Sequence, residues 1–124
     1  VTVLTSMDDE ELAELGVCSS VEKQVLRLAR ISKEAGADGV VCSAQETGPL
    51  RAEFANSLSL VTPGIRPLGS GTDDQRRIVT PSDAILGGSD YLVIGRPITE
   101  ATDPLKALEE IEKEVDEALL VAGR

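Results

Sequence analysis

The sequence predicts an α/β protein made of four successive βα units around a parallel sheet. Three observations lead there. Four short β-rich runs, VTVLT (residues 1–5), GVVCS (39–43), LSLVT (58–62) and YLVIG (91–95), are spaced along the chain. Stretches with helical periodicity separate them. The runs are near-continuous in apolar residues rather than alternating, which is the habit of strands in a parallel sheet covered by helices. Four such units build either a small doubly wound sheet or half of an eight-stranded barrel, and periodicity alone does not choose.

The first run is followed by an acidic segment at residues 8–11 and then by a helix. Val21, Val25, Leu28, Ile31 and Ala35 share its expected buried face, Ser19-Ser20-Val21-Glu22 fits a capping box at its start, and Gly36 ends it. After the second run, a helix is expected from Pro49 to about Ala55, since proline is tolerated in a first turn. Thr80-Pro81 supplies an N-cap residue with proline behind it, and Gly87-Gly88 stops the short helix. Asp103-Pro104 repeats the device for the last helix, whose stripe of Leu105, Leu108, Ile111, Val115 and Leu119 lies opposite the acidic run EEIEKEVDE, read as a solvated face.

Composition narrows the function. At 124 residues with 41% hydrophobic content the chain suits one domain with a real core. No run approaches the roughly 20 apolar residues of a membrane span, and nothing resembles a signal peptide, so a soluble cytoplasmic protein without a membrane partner is expected. Cys18 and Cys42 lack CxxC spacing and there is no histidine, which leaves zinc and haem sites without support and the thiols idle. A formal charge of -10 repels nucleic acid, yet a local arginine cluster still attracts a small anion within about 10 Å. The chain opens on Val1 inside an apolar β-branched run, so it is expected to begin within a larger fold.

Ligands of both candidate architectures sit at the carboxyl ends of the strands. Gly95-Arg96 ends the last run: glycine lets the backbone approach an anion, and the guanidinium offers forked donors to phosphate oxygens. The segment GIRPLGSGTDDQRR (residues 64–77) converges on the same end with Arg66 and the Gln75 amide, while Arg76 and Arg77 are assigned to the surface or the next helix. Thr5 and Ser6 offer hydroxyls to a heterocycle, or else cap the segment that follows. A surface ion pair remains the alternative reading of Arg96.

VTVLTSM, DGVVCSAQE, LVTPGIRP followed by GS and DQRR, and DYLVIGRPIT occur in an order and spacing that resemble the C-terminal half of bacterial orotidine 5'-phosphate decarboxylases. The resemblance extends to about Glu114. It implies a (β/α)8 TIM barrel of which this chain supplies about four βα units, as a single half-barrel domain over residues 1–124. It also implies conversion of orotidine 5'-monophosphate (OMP) to uridine 5'-monophosphate (UMP) and carbon dioxide with no metal or organic cofactor. By the same resemblance Thr5 contacts the nucleotide, Arg66 and Gln75 belong to the closing loop after the seventh strand, and Gly95 and Arg96 hold the phosphate.

No catalytic residue is assigned to this chain. The family's Asp-x-Lys-x-x-Asp segment, a further lysine and an aspartate from a dimer partner lie in the other half, while Lys23, Lys33, Lys106 and Lys113 all fall on expected helices. The chain alone is therefore expected to be inactive, and to form a homodimer or pair with the missing N-terminal half. Two alternatives stand beside this reading: a non-catalytic phosphate-binding or structural half-barrel that self-associates, and a free flavodoxin-like domain whose sheet is covered on both faces by its own helices.

Overall fold

The computed structural model describes residues 1–68 and 79–124. The order of elements is α1 (Asp9–Glu14), α2 (Val21–Glu34), β1 (Gly39–Val41), a 3-10 turn (Ala44–Glu46), α3 (Thr47–Phe54), β2 (Ser59–Thr62), α4 (Pro81–Gly87), β3 (Tyr91–Leu92), α5 (Arg96–Thr99) and α6 (Pro104–Ala122). The three strands form one parallel sheet in the order β1-β2-β3. Val41 pairs with Val61 and Val61 with Tyr91, so register runs straight across the sheet. β1 and β2 approach closely at Gly39, where a Cβ would lie 2.4 Å from the Ser59 carbonyl oxygen.

Three of the four expected runs are strands. Residues 1–5 are not: Thr2 bonds β1 through its N–H and its Oγ1, both donating to the Val41 carbonyl, and the chain then turns, with Met7 N–H donating to Leu4 O. Two helices escaped the sequence reading. In α1, Asp8 is the N-cap and exchanges hydrogen bonds reciprocally with Glu11, and three acidic residues in its first turn suit the positive end of the helix dipole. In α5, the Gly-Arg-Pro sequence turns the chain three residues after β3 ends.

The cap of α2 is Ser20, whose Oγ accepts from Lys23 N–H at 3.3 Å, instead of the expected box from Ser19 to Glu22. The Asp9 carboxylate reinforces that end, accepting from Val21 N–H at 2.7 Å. The buried row of α2 is Val21, Val25 and Ala29, an i, i+4 ridge whose small last member lets the helix sit close to the sheet. Ile31 and Ala35 of the expected face are exposed. α3 begins at Thr47, two residues before Pro49. Thr80-Pro81 and Asp103-Pro104 start α4 and α6 as expected.

Burial in the strands alternates. Val40 and Leu60 face the helices and join Val21, Val25, Ala29, Leu50, Phe54 and Leu58 in the main core, whereas Val41 and Val61 are only half-buried. The flavodoxin-like alternative, with both faces covered by the chain's own helices, does not hold. A second cluster of Ala44, Ile65 and Ala84, with Val79, Leu92 and Ile94 against it, fills the space beneath the strand ends. α6 packs on α4, where its Glu114 Oε1 accepts from Ser82 N–H at 2.9 Å. Among the described residues no helix is long and apolar enough to cross a membrane.

Candidate functional site at the strand ends

β2 runs out at Thr62 into Pro63-Gly64-Ile65-Arg66. Gly64 has φ +74°, a left-handed conformation that an L side chain adopts only under strain, and the bend sends Ile65 into the second core cluster. Ile65 forms an isolated parallel bridge with Val79, and Arg66 N–H donates to Val79 O at 3.1 Å. A fully anchored isoleucine thus fixes the backbone of Arg66, which is itself buried.

β3 continues past Leu92 with Val93 N–H donating to Thr62 O at 3.0 Å, and Ile94 packs beside Ile65. Gly95 then caps α5: its carbonyl accepts from Ile98 and Thr99 N–H at 2.9 and 3.0 Å. Among the described residues, nothing beyond its own chain neighbours lies within 4 Å of the place where a Gly95 Cβ would stand.

The two loops enclose a cavity of about 250 Å³ lined by Pro63, Gly64, Ile65, Arg66, Val93, Gly95, Arg96 and Pro97. Arg66, Gly95 and Arg96, three of the five residues singled out from sequence, share this one cavity. Two arginines, one from each loop, thus line this cavity in a chain of net charge -10. Thr5 is buried at the turn after residues 1–5 and is not part of that wall. Gln75 lies outside the described residues.

The opposite ends of the same strands are tied by charge. Asp90 Oδ2 accepts from Leu60 N–H at 2.8 Å and from Arg51 Nη2 at 2.5 Å, and its Oδ1 accepts from Arg124 Nη2 at 2.9 Å. Arg51 also donates to the carbonyls of Gly88, Ala55 and Leu58. Burial opposes ionisation of Asp90, but the Leu60 N–H, the Arg51 bond and charge, and the Arg124 charge outweigh it and hold its pKa below the ordinary carboxylate value. This clamp fixes β3 against β2, and hence the spacing of the two loops that carry the arginines.

Sequence reasoning missed the clamp, because its members are 39 and 34 residues apart. It also missed Glu46, a buried carboxyl directly beyond β1 whose Oε2 accepts from Ser43 N–H at 2.9 Å. The Ser-x-x-Glu spacing of Ser43 and Glu46 was the signal that could have found it. The four lysines lie on outer helices, as expected: Lys23 and Lys33 on α2, Lys106 and Lys113 on α6, where they stand 3.9 Å from Glu110 and Glu117. Among the described residues no cluster of three or more His, Cys, Asp or Glu side chains could hold a metal ion.

Parallel strands with crossover helices and a cavity at their carboxyl ends define a piece of a (β/α) barrel protein. The chain belongs to the orotidine 5'-phosphate decarboxylase / HUMPS family, which it matches over residues 1–111. It is 58% identical over 116 residues to orotidine 5'-phosphate decarboxylase of Pseudoalteromonas translucida, covering 94% of this chain and 50% of that protein. It is 55% identical over 120 residues to the same enzyme of Saccharophagus degradans, covering 97% and 50%. The crystal structure of orotidine 5'-phosphate decarboxylase from Lactobacillus acidophilus superposes with a TM-score of 0.74 at 41% identity, covering 93% of this chain and 47% of that one. The chain thus spans about half the length of the relatives it matches, and its fold is a half-barrel.

Proposed function

We propose that this chain is the substrate-holding half of an orotidine 5'-phosphate decarboxylase, a single half-barrel domain that grips the phosphate of OMP and UMP in pyrimidine biosynthesis. The observation that carries this reading is the convergence of Arg66, Gly95 and Arg96 on one cavity. The Arg96 guanidinium and the Gly95 amide take the phosphate oxygens, Arg66 closes the other side, and Thr5 and Gln75 reach the nucleotide from neighbouring segments. A cytoplasmic setting accords with Cys18 and Cys42 both being free thiols.

The reaction replaces the substrate's carboxylate by a proton. Charged groups placed against the carboxylate favour its loss, and an acid protonates the carbon left behind. The lysines of this chain lie on outer helices, so those charges come from the remaining half, or from a dimer partner. The contribution of the half described here is binding energy: phosphate held far from the reacting carbon positions the pyrimidine and is used at the reacting centre.

A thermal-shift titration with UMP and with inorganic phosphate tests the grip. At about 100 times the dissociation constant, either ligand should stabilise the parent by ~2.7 kcal/mol. Arg96→Ala should lose most of that rise. A variant that responds like the parent would show the cavity is not a phosphate site.

A further inference from the structure

The sheet reaches one bond beyond β1, with Cys42 N–H donating to Val61 O at 3.0 Å, and the chain then turns through residues 43–47. That turn is closed by several bonds at once. Glu46 Oε2 accepts from Ser43 N–H at 2.9 Å, Ser43 O accepts from Glu46 N–H at 3.0 Å, Ser43 Oγ accepts from Gln45 N–H at 3.3 Å, and Thr47 Oγ1 donates to Ala44 O at 2.8 Å. A Ser-x-x-Glu cap works equally well on a surface. Here it is withdrawn from water, with Ser43 fully buried and Glu46 only 4% exposed, a costly place for a carboxyl group that serves as a cap alone.

The place of the burial matters. Ala44, the first residue of the 3-10 turn, packs with Ile65 and Ala84 in the second core cluster. On the other side Thr47 Oγ1 lies 2.8 Å from where a Gly87 Cβ would stand, so the turn is wedged between the bend after β2 and α4. Arg66 follows Ile65 directly and its backbone is bonded to Val79. Glu46 itself is not part of the cavity wall.

We propose that Glu46 is a positioning residue for the phosphate grip: by holding the turn after β1 it sets where Ala44 meets Ile65, and through Ile65 where Arg66 stands in the cavity. The links are few: carboxylate to Ser43 N–H, Ser43 to Ala44, Ala44 to Ile65, and Ile65 to Arg66. Without the carboxylate, the buried Ser43 N–H loses its acceptor, and the turn must shift to find another. Arg96 depends on the turn less, because it is carried by α5, which closes on the Gly95 carbonyl.

The inference rests on the reading of the cavity as a phosphate site, and both are tested by calorimetric titration of the 124-residue chain with UMP and with inorganic phosphate. Glu46→Ala should bind each about tenfold more weakly with unchanged circular dichroism. Glu46→Gln keeps an oxygen that accepts from Ser43 N–H and should stay within about twofold of the parent. Any buried substitution can lower thermal stability, so the deciding readout is a double-mutant cycle. On an Arg66→Ala background, Glu46→Ala should add almost nothing to the loss; on an Arg96→Ala background it should add its full effect. Should Glu46→Ala fail to fold, Ile65→Val shortens a later contact in the same series and should give the same pattern at smaller size. A loss that recurs unchanged on the Arg66→Ala background, a Glu46→Gln no better than Glu46→Ala, or full affinity in Glu46→Ala would overturn the proposal and leave the phosphate site standing. A parent that binds neither ligand removes the site and the proposal together.

Discussion

Arg51 of α3 donates to Asp90, 39 residues further along, at 2.5 Å, and so pins the start of β3 to the end of a helix three elements earlier. Because Asp90 also accepts from Leu60 N–H, loss of its charge loosens β3 from β2. Asp90→Asn should lower stability by about 1–2 kcal/mol, the modest figure reflecting a carboxylate that is 28% exposed and therefore partly screened. Urea unfolding of both proteins measures it.

The same pair predicts a pH dependence. The folded pKa of Asp90 is lowered, so its contribution is fully present above the unfolded carboxylate pKa and is lost as pH falls through the folded one. The stability gap between parent and Asp90→Asn should be constant near neutrality and close in acid. A gap that persists unchanged at low pH would mean that the ionised form has no special place in the clamp.

Ala55 closes α3 with φ +47° and ψ -127°, a region that suits glycine. Ala55→Gly should therefore stabilise the protein by about 1 kcal/mol, the relief of strain exceeding the added flexibility of the unfolded chain. A rise in melting temperature is the readout, and a fall would place the strain elsewhere.

Gly64 is the converse case, with φ +74° in the bend that delivers Arg66. Gly64→Ala should cost about 1 kcal/mol of stability and weaken phosphate binding by a factor of about ten, since the bend shapes the cavity wall. Calorimetric titration separates the two effects, and intact affinity would detach the cavity from the bend.

Mixed with a polypeptide carrying the N-terminal half of a relative, the chain should yield decarboxylase activity that neither part has alone. Carbon dioxide release from the highly purified chain by itself would contradict the assignment of the reactive charges to the other half.

Much of this was legible in the sequence, for physical reasons. β-branched runs bounded by glycine and proline located β1, β2 and β3. Thr80-Pro81 and Asp103-Pro104 marked helix starts because a cap and a fixed φ act locally. Arg66, Gly95 and Arg96 were grouped because strand ends gather ligands, and the family resemblance singled out these three together with Thr5 and Gln75. What failed depends on contacts distant in sequence. Residues 1–5 have strand composition, but a strand is defined by its ladder. The buried face of α2 turned on the small Ala29 fitting against the sheet, which periodicity does not weigh. α5 was hidden because Gly-Arg-Pro reads equally as a strand end, and the Arg51–Asp90–Arg124 clamp has no local signature.

The cavity is walled by the loops after β2 and β3, so its two halves, around Arg66 and around Arg96, are thirty positions apart in the chain. On the ribosome, the first half of the wall emerges well before the second. A nascent polypeptide cannot form this cavity until Pro97 has cleared the exit tunnel, which makes its closure a late event in the synthesis of this segment.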